Sequence, residues 1–240
     1  MKELTKPSIL AYRTNKRMQD EGESPVWFRL VVRTVGLCGG VNYEQPYDYA
    51  NACPTCGAGS EPVGPLIAQL SRMGRKLLDQ TAHDGHVVTA RGLADALVAA
   101  GMTGLEVRPV RRAHVAVPDS GYCWLRVAFQ WPPMAPTSRV VSDDLCPQCQ
   151  RTGYYDLGAE PGEWHYSRPP DDAADFGCTW ERFGIWRAKA WKAGRRGVGG
   201  AGGLIVSGSA RALLESLKVR HLEYVPVVFD EARLPTSGGS

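Results

Sequence analysis

The sequence predicts an α+β fold, a two-lobed mixed sheet with short helices whose lobes are joined through a pair of cysteine knuckles. Three observations carry that expectation. Cys53-Pro54-Thr55-Cys56 and Cys146-Pro147-Gln148-Cys149 place one Cys-Pro-x-Cys pattern in each half of the chain. Residues 87–110 match residues 204–227 without gaps, as strand, short helix and strand. Between these features, short apolar runs end at glycine or proline, the punctuation of strands.

The elements follow in order. Residues 1–24 are polar and read as a loosely held arm. Val26-Trp27-Phe28-Arg29-Leu30-Val31-Val32 is a strand, ending at Gly36 and the Gly39-Gly40 pair. The first knuckle follows in a loop. Over residues 65–80, Leu66, Leu70, Met73 and Leu77 fall at helical spacing with Arg72, Arg75 and Lys76 between them, and Pro65 suits a helix's first turn. From 122 to 131 a strand alternates, with Cys123, Leu125, Val127, Phe129 and Trp131 on one face; Pro132-Pro133 stops it. Residues 156–178 form an acidic surface loop carrying Glu160, Glu163, Asp171, Asp172 and Asp175. Residues 194–203 are a glycine-rich connector with Arg195-Arg196, and 235–240 a flexible tail.

The match of 87–110 to 204–227 runs at a constant offset of 117, from Val87 onto Leu204. Its helix faces are Leu93, Ala96, Leu97, Ala100 in the first copy and Ala210, Leu213, Leu214, Leu217 in the second, one i, i+3, i+4, i+7 stripe. Both copies end in Leu-Glu-x-x-Pro-Val. The match reads as an internal duplication or as a chance likeness of two short amphipathic units. The organisation expected is an arm at 1–24 and a first lobe at 25–118 holding the knuckle 53–56 and the unit 87–110. A second lobe at 119–232 holds the knuckle 146–149 and the unit 204–227, and a tail occupies 233–240.

At 240 residues the chain has ample material for a core, and its 43% hydrophobic content with 22% charged residues is that of a globular protein. A net charge of +3 is too small to argue for nucleic acid or membrane without clustering. The N-terminal stretch mixes Lys2, Glu3, Lys6 and Arg13 with few apolar residues, unlike a secretory signal, and no apolar run reaches the length of a membrane span. Seven cysteines, four of them in knuckles, argue against a disulfide framework and for a reducing cytoplasm.

Two CxxC pairs supply four thiolates, enough to close one tetrahedral zinc site with no position left for water. Cys53, Cys56, Cys146 and Cys149 are therefore the expected ligands of one structural zinc ion. The rival is dithiol redox chemistry, which wants the first cysteine at a helix N-terminus. Gly57-Ala58-Gly59-Ser60-Glu61-Pro62 and Gln150-Arg151-Thr152-Gly153 do not open helices, so zinc is preferred. Two separate sites, each knuckle borrowing from Cys38, Cys123, Cys178, His83 or His86, are the other arrangement, although Cys123 sits on an apolar strand face and reads as core.

Other clusters are weaker. His83-Asp84-Gly85-His86 reads first as a solvated turn, and His165 beside Glu163 has no companion nucleophile motif. Gly-x-Ser-x-Gly, the P-loop and His-Glu-x-x-His do not occur. Residues 186–196 interleave Trp186 and Trp191 with Arg187, Lys189, Lys192, Arg195 and Arg196. That composition suits phosphates and bases, a protein partner, or a basic helix anchored to the core by its tryptophans.

With paired knuckles, a long insertion between them and a closing strand–helix–strand ending in Pro-Val, the chain resembles the bacterial double-CXXCG motif family over roughly residues 26–230. Cys53-Pro54-Thr55-Cys56-Gly57 matches the motif in full; Cys146-Pro147-Gln148-Cys149 is followed by Gln150 instead of glycine. The resemblance implies metal binding by those four cysteines and a cytoplasmic, non-enzymatic immunity protein that binds and blocks a cognate toxin. Asp171, Asp172 and Asp175 are then candidates for a phosphate-mimicking surface, and residues 186–196 for partner contact. The competing expectation is a zinc-ribbon nucleic-acid-binding protein that uses residues 186–196.

Overall fold

The computed structural model describes residues 27–33, 38–41, 45–70, 78–80, 86–119, 121–138, 140–155, 163–183 and 201–230. In chain order they form β1 (Trp27–Val32), β2 (Cys38–Val41), β3 (Tyr47–Asp48), β4 (Glu61–Pro62), β5 (Leu66–Leu70), β6 (Leu78–Gln80), β7 (Val87–Ala90), α1 (Arg91–Ala99), β8 (Leu105–Arg112), β9 (Tyr122–Val127), β10 (Phe129–Gln130), β11 (Val141–Leu145), β12 (Thr152–Tyr155), β13 (His165–Tyr166), β14 (Phe176–Phe183), β15 (Ala201–Ser207), α2 (Gly208–Ser216), β16 (Leu222–Pro226) and β17 (Val228–Phe229). Among the described residues the fold is mixed, mostly strands with two helices. One sheet runs β2-β5-β8-β9-β7-β6 and a second β11-β12-β14-β15-β1-β16, with β10 on β14; two hairpin-sized pairs, β3-β4 and β13-β17, complete it.

Period-two alternation builds the layers. In β1, Phe28, Leu30 and Val32 enter a central core while Trp27 points to the opposite face. In β9, Cys123 and Leu125 enter the same central core while Trp124 packs on the outside with Leu66, Ala68, Val88 and Val110. The central core also takes Leu93, Ala94 and Leu97 of α1 and Ala210, Leu213 and Leu214 of α2. Both sheets therefore close over one shared core and one pair of helices.

The helices form for the same local reasons. Each is nine residues long with one buried face. Each ends on a left-handed residue, Gly101 (φ 73°) or Lys218 (φ 56°). Met102 N–H then donates to Leu97 O and Val219 N–H to Leu214 O, both at 3.1 Å, the bonds of a Schellman ending. The starts differ: Ser207 Oγ caps α2 by accepting from Ala210 N at 3.1 Å, whereas Ala90 offers α1 no side-chain cap.

The strands of the two units are arranged alike. β7 and β8 flank β9, and β15 and β16 flank β1, all antiparallel to the strand between them. Cys123 pairs with Thr89 and Pro109; Phe28 pairs with Val206 and Pro226. Leu125 pairs with Val87 and Val107; Leu30 pairs with Leu204 and Tyr224. On the far side, Leu78 opposes Thr89 as Phe176 opposes Val206. These partners all coincide at the offset that relates the two units. The pairing also crosses the boundary expected at 118/119: β1 completes the sheet of the second unit, and β9 that of the first.

Three expected elements are corrected. The helix expected over 65–80 is strand β5 followed, beyond residues outside the description, by strand β6. Leu66, Ile67 and Ala68 are all buried because β5 lies inside its sheet between β2 and β8; its apolar run is that of a strand covered on both faces. The strand expected over 122–131 breaks at Ala128, whose N–H donates to Gly104 O at 3.0 Å. The chain there leaves one sheet for the other, so Phe129 and Trp131 join a different core from Cys123 and Leu125. Gly39-Gly40, expected to end the first strand, lies within β2.

Candidate metal centre

Each knuckle is the turn of an antiparallel strand pair, β3-β4 for the first and β11-β12 for the second. The turns close identically. Cys53 N–H donates to Ala58 O at 2.8 Å, and Cys146 N–H to Arg151 O at 3.0 Å. Gly57 N–H donates to Cys53 O at 2.7 Å, and Gln150 N–H to Cys146 O at 2.9 Å. This second bond turns the backbone left-handed at the residue after the second cysteine, giving φ 71° at Gly57 and 57° at Gln150. The glycine of a CxxCG turn has that conformational cause, and Gln150 adopts the geometry without it.

The turns face each other. Cys53 Sγ lies 3.8 Å from Cys146 Sγ, and Cys56 Sγ 3.5 Å from Cys149 Sγ. All four sulfurs lie within 4.8 Å of one another. A tetrahedral ion with metal–sulfur bonds of about 2.3 Å sets its sulfurs about 3.8 Å apart, so the donor set fits such an ion. Thr55 Oγ1 donates to Gln148 Oε1 at 2.7 Å and ties the tips together. Cys53 and Cys146 are buried and Cys56 and Cys149 half-buried, with Ala58 packed against them.

The thiols are set up unequally. Burial works upward on Cys53, but N–H groups from Cys56 and Thr55 outweigh it and bring the thiol down to about 7. Burial pushes the Cys56 thiol up, and the neighbouring Cys149 sulfur adds to the rise. Burial likewise raises Cys149. Gathering four thiolates at one point needs a cation to offset their repulsion.

Behind the knuckles a cavity of about 240 Å³ opens between the two sheets. Arg126, Arg151 and Arg182 line it with His86, Glu61 and Cys178. Arg126 is neutralised: its Nε donates to Glu61 Oε2 at 3.1 Å and its Nη1 to Glu106 Oε1 at 2.9 Å. Arg151 lies over the Trp180 ring at 4.1 Å and donates to Gln130 Oε1 at 3.2 Å. Burial, aided by the charge of Arg182, depresses His86 to about 4 and leaves it neutral near pH 7.

The remaining expected residues are dispersed. Cys123 is core, its thiol pushed up by burial to about 11. Cys178 lines the cavity, outside the four-sulfur cluster. The side chain of Cys38, and all of His83, lie outside the described residues, as do Trp186, Arg187, Lys189, Trp191, Lys192, Arg195 and Arg196. Asp171 and Asp172 are exposed, with Arg168 Nη1 3.3 Å from Asp171 Oδ1. Asp175 is committed internally: Oδ2 accepts from Thr103 N at 3.0 Å and Thr103 Oγ1 at 2.9 Å, and Oδ1 from Ser207 Oγ at 2.8 Å. It ties the end of α1 to the start of α2.

Two carboxylates carry no motif in the sequence. His165 Nδ1 lies 2.9 Å from Asp230 Oδ1, with Glu163 3.5 Å from Nε2. Sixty-odd residues separate His165 from Asp230; the β13-β17 pairing brings them together, and Thr137 and Ser138 bond to Asp230 and His165 respectively. Glu181 is 3% exposed; its Oε1 accepts from Met134 N at 2.7 Å, and burial raises its pKa. None of the described helices is long and apolar enough to cross a membrane. No protein-family model matches the chain, and no curated protein is significantly similar to it.

Proposed function

We propose that this chain is a non-enzymatic, zinc-binding immunity protein that neutralises a cognate bacterial toxin in the cytoplasm. The observation that carries the metal reading is the meeting of four sulfurs within 4.8 Å, two from each knuckle. Four thiolates saturate the ion, so its role is structural: it fastens two distant parts of the chain. Cysteine-rich donor sets favour zinc among the divalent ions.

The immunity reading rests on the resemblance to the double-CXXCG family. The departure from the motif at Gln150 leaves the knuckle geometry intact, since Gln150 takes the same left-handed turn as Gly57. The matched registers of the two strand–helix–strand units support a further part of the proposal, that the chain arose by internal duplication, each copy bringing one knuckle. The toxin-facing surface includes the exposed carboxylates Asp171 and Asp172. Against a nuclease, they would stand in for phosphate in a basic cleft.

The test is affinity purification of the tagged chain from its host after nuclease treatment, with elemental analysis of the eluate and mass spectrometry of what accompanies it. One zinc per chain and a stoichiometric partner that is toxic when expressed alone are the expected results. In a parallel purification without nuclease, nucleic acid as the sole companion, with none left after treatment, would replace the immunity reading by the zinc-ribbon nucleic-acid binder.

A further inference from the structure

We propose that a groove beside Trp180 is a docking site for an arginine-bearing segment of a protein partner, an inference that rests on the immunity reading above for the partner's identity. The groove has a volume of about 680 Å³. Segments 131–133 and 167–172 line it, with Phe129 of β10 and Trp180 of β14. Hydrogen bonds fix its shape. Trp131 N–H donates to Cys178 O at 2.8 Å and Met134 N–H to Glu181 Oε1 at 2.7 Å, one on each side of Pro132-Pro133. The buried Glu181 carboxylate thus holds one lining segment in place. Next to the other segment, Ala173 N–H donates to Pro170 O at 3.2 Å. The Trp180 ring is held by Arg151, stacked on it at 4.1 Å.

The lining selects the occupant. Pro132, Pro133, Pro169 and Pro170 present carbonyls but no N–H groups. The charged residues are the exposed carboxylates Asp171 and Asp172 against one guanidinium, Arg168, which lies 3.3 Å from Asp171 Oδ1. Both members of that pair are mostly exposed, so water screens it and a better-placed donor can displace it. Among the described residues Asp172 has no hydrogen-bond or ion-pair partner. A complementary ligand therefore has an apolar stem to lie on the prolines and Trp180, and a cationic head rich in donors to reach Asp172. Arginine has that build: an aliphatic stem, and a guanidinium that only donates. Arginine is also among the residues that dominate protein interfaces. The same carboxylates repel phosphate, which selects a protein over a nucleic acid.

These features are particular to the second half. β5 pairs in parallel with β8 as β13 does with β17, and β6 pairs with β7 as β14 does with β15. Ile67 thereby corresponds to His165 and Leu78 to Phe176, both at an offset of 98. At that offset Asp171 and Asp172 fall on Met73 and Gly74, and Pro169 and Pro170 on Ser71 and Arg72. The strand pairing repeats; the prolines and carboxylates do not. Scaffold residues would recur with the scaffold, whereas a surface shaped for a partner belongs to one copy.

The experiment follows the tryptophan indole N–H signals of the full chain by NMR while a blocked Ala-Arg-Ala peptide is added. The same peptide with citrulline for arginine is the uncharged control, and Trp180→Phe assigns the Trp180 signal. We expect the Trp180 signal to shift and saturate with the arginine peptide and to stay still with citrulline. Asp172→Asn should weaken binding about fivefold, with the other indole signals unmoved because the side chain is exposed. An equal response to citrulline, or an unchanged affinity in Asp172→Asn, would overturn the inference. So would a still Trp180 signal, the result expected of a groove already filled by this chain's own basic residues or by a second copy. Affinity purification with wild type and Asp172→Lys separates the inference from the immunity reading. A toxin held by wild type and lost by the variant supports both. A toxin held equally by the two overturns the docking site and leaves immunity standing. No toxin on wild type, with the peptide response intact, overturns immunity and keeps the groove as the docking site of another arginine-bearing protein.

Discussion

Gln150 and Gly57 occupy the same left-handed position of their respective knuckles, at φ 57° and 71°. Each donates its N–H to the first cysteine of its turn. A side chain at such a φ costs about 1–2 kcal/mol, against a glycine entropy penalty of about 0.5–1 kcal/mol. Gln150 recovers part of the cost by donating from Nε2 to Pro147 O at 2.9 Å. Gln150→Gly is therefore expected to stabilise the protein by up to about 1 kcal/mol, and Gly57→Ala to destabilise it by a similar amount. Urea unfolding of the two variants checks both signs; equal effects in one direction would refute the equivalence of the turns.

Chelation and cysteine substitution should agree. Cys53→Ser and Cys146→Ser remove one buried ligand each, from opposite halves of the chain. Both are expected to abolish stoichiometric zinc and to lower the thermal midpoint by as much as chelator treatment of the wild type. Metal analysis and calorimetry on the same preparations read the two effects.

The acidic residues of the 156–178 segment should separate into two kinds. Asp175→Ala removes the acceptor for Thr103 N, Thr103 Oγ1 and Ser207 Oγ. The expected cost is about 2–4 kcal/mol, from three bonds to a charged acceptor. Asp171→Ala and Asp172→Ala, on exposed side chains, should stay within about 0.5 kcal/mol. Denaturant midpoints distinguish them, and equal costs would contradict the geometry.

Acid should weaken the fold through His86. Its pKa is lowered from 6.5 to about 4 in the folded chain, so the unfolded chain binds the extra proton between those values. Stability from this source is intact above pH 6.5 and drains away as the pH falls toward 4. His86 packs edge-on against Trp124, with ring centroids 5.1 Å apart. In metal-free protein, where thiolate protonation cannot contribute through the ion, His86→Gln should flatten this part of the stability–pH curve. An unchanged slope would exclude His86 as its source.

What the sequence disclosed was chiefly local. The knuckles declare themselves because a two-residue spacer places both thiols on one tight turn, and α1 and α2 because Leu93, Leu97, Leu213 and Leu214 repeat at helical spacing. Residues 65–80 misled for an equally physical reason: Leu66, Ile67 and Ala68 are buried on both faces, and a short apolar run lacks the alternation that separates strand from helix. The destinations of β1 and β9 were illegible, since pairing partners far along the chain leave no periodic mark. Glu181 and Asp230 carry no motif either; each acquires its partner only from what the fold sets beside it.

The crossed pairing of β1 and β9 has a mechanical consequence. Each strand–helix–strand unit grips a strand belonging to the other half, like two hands clasped with the fingers interleaved. Neither half can let go alone: drawing β1 out strips the middle from one sheet, and the shared core loses Phe28, Leu30 and Val32 with it. The cysteine cluster then acts as a padlock on a clasp already closed, and a protease that nicks one half would leave both still held.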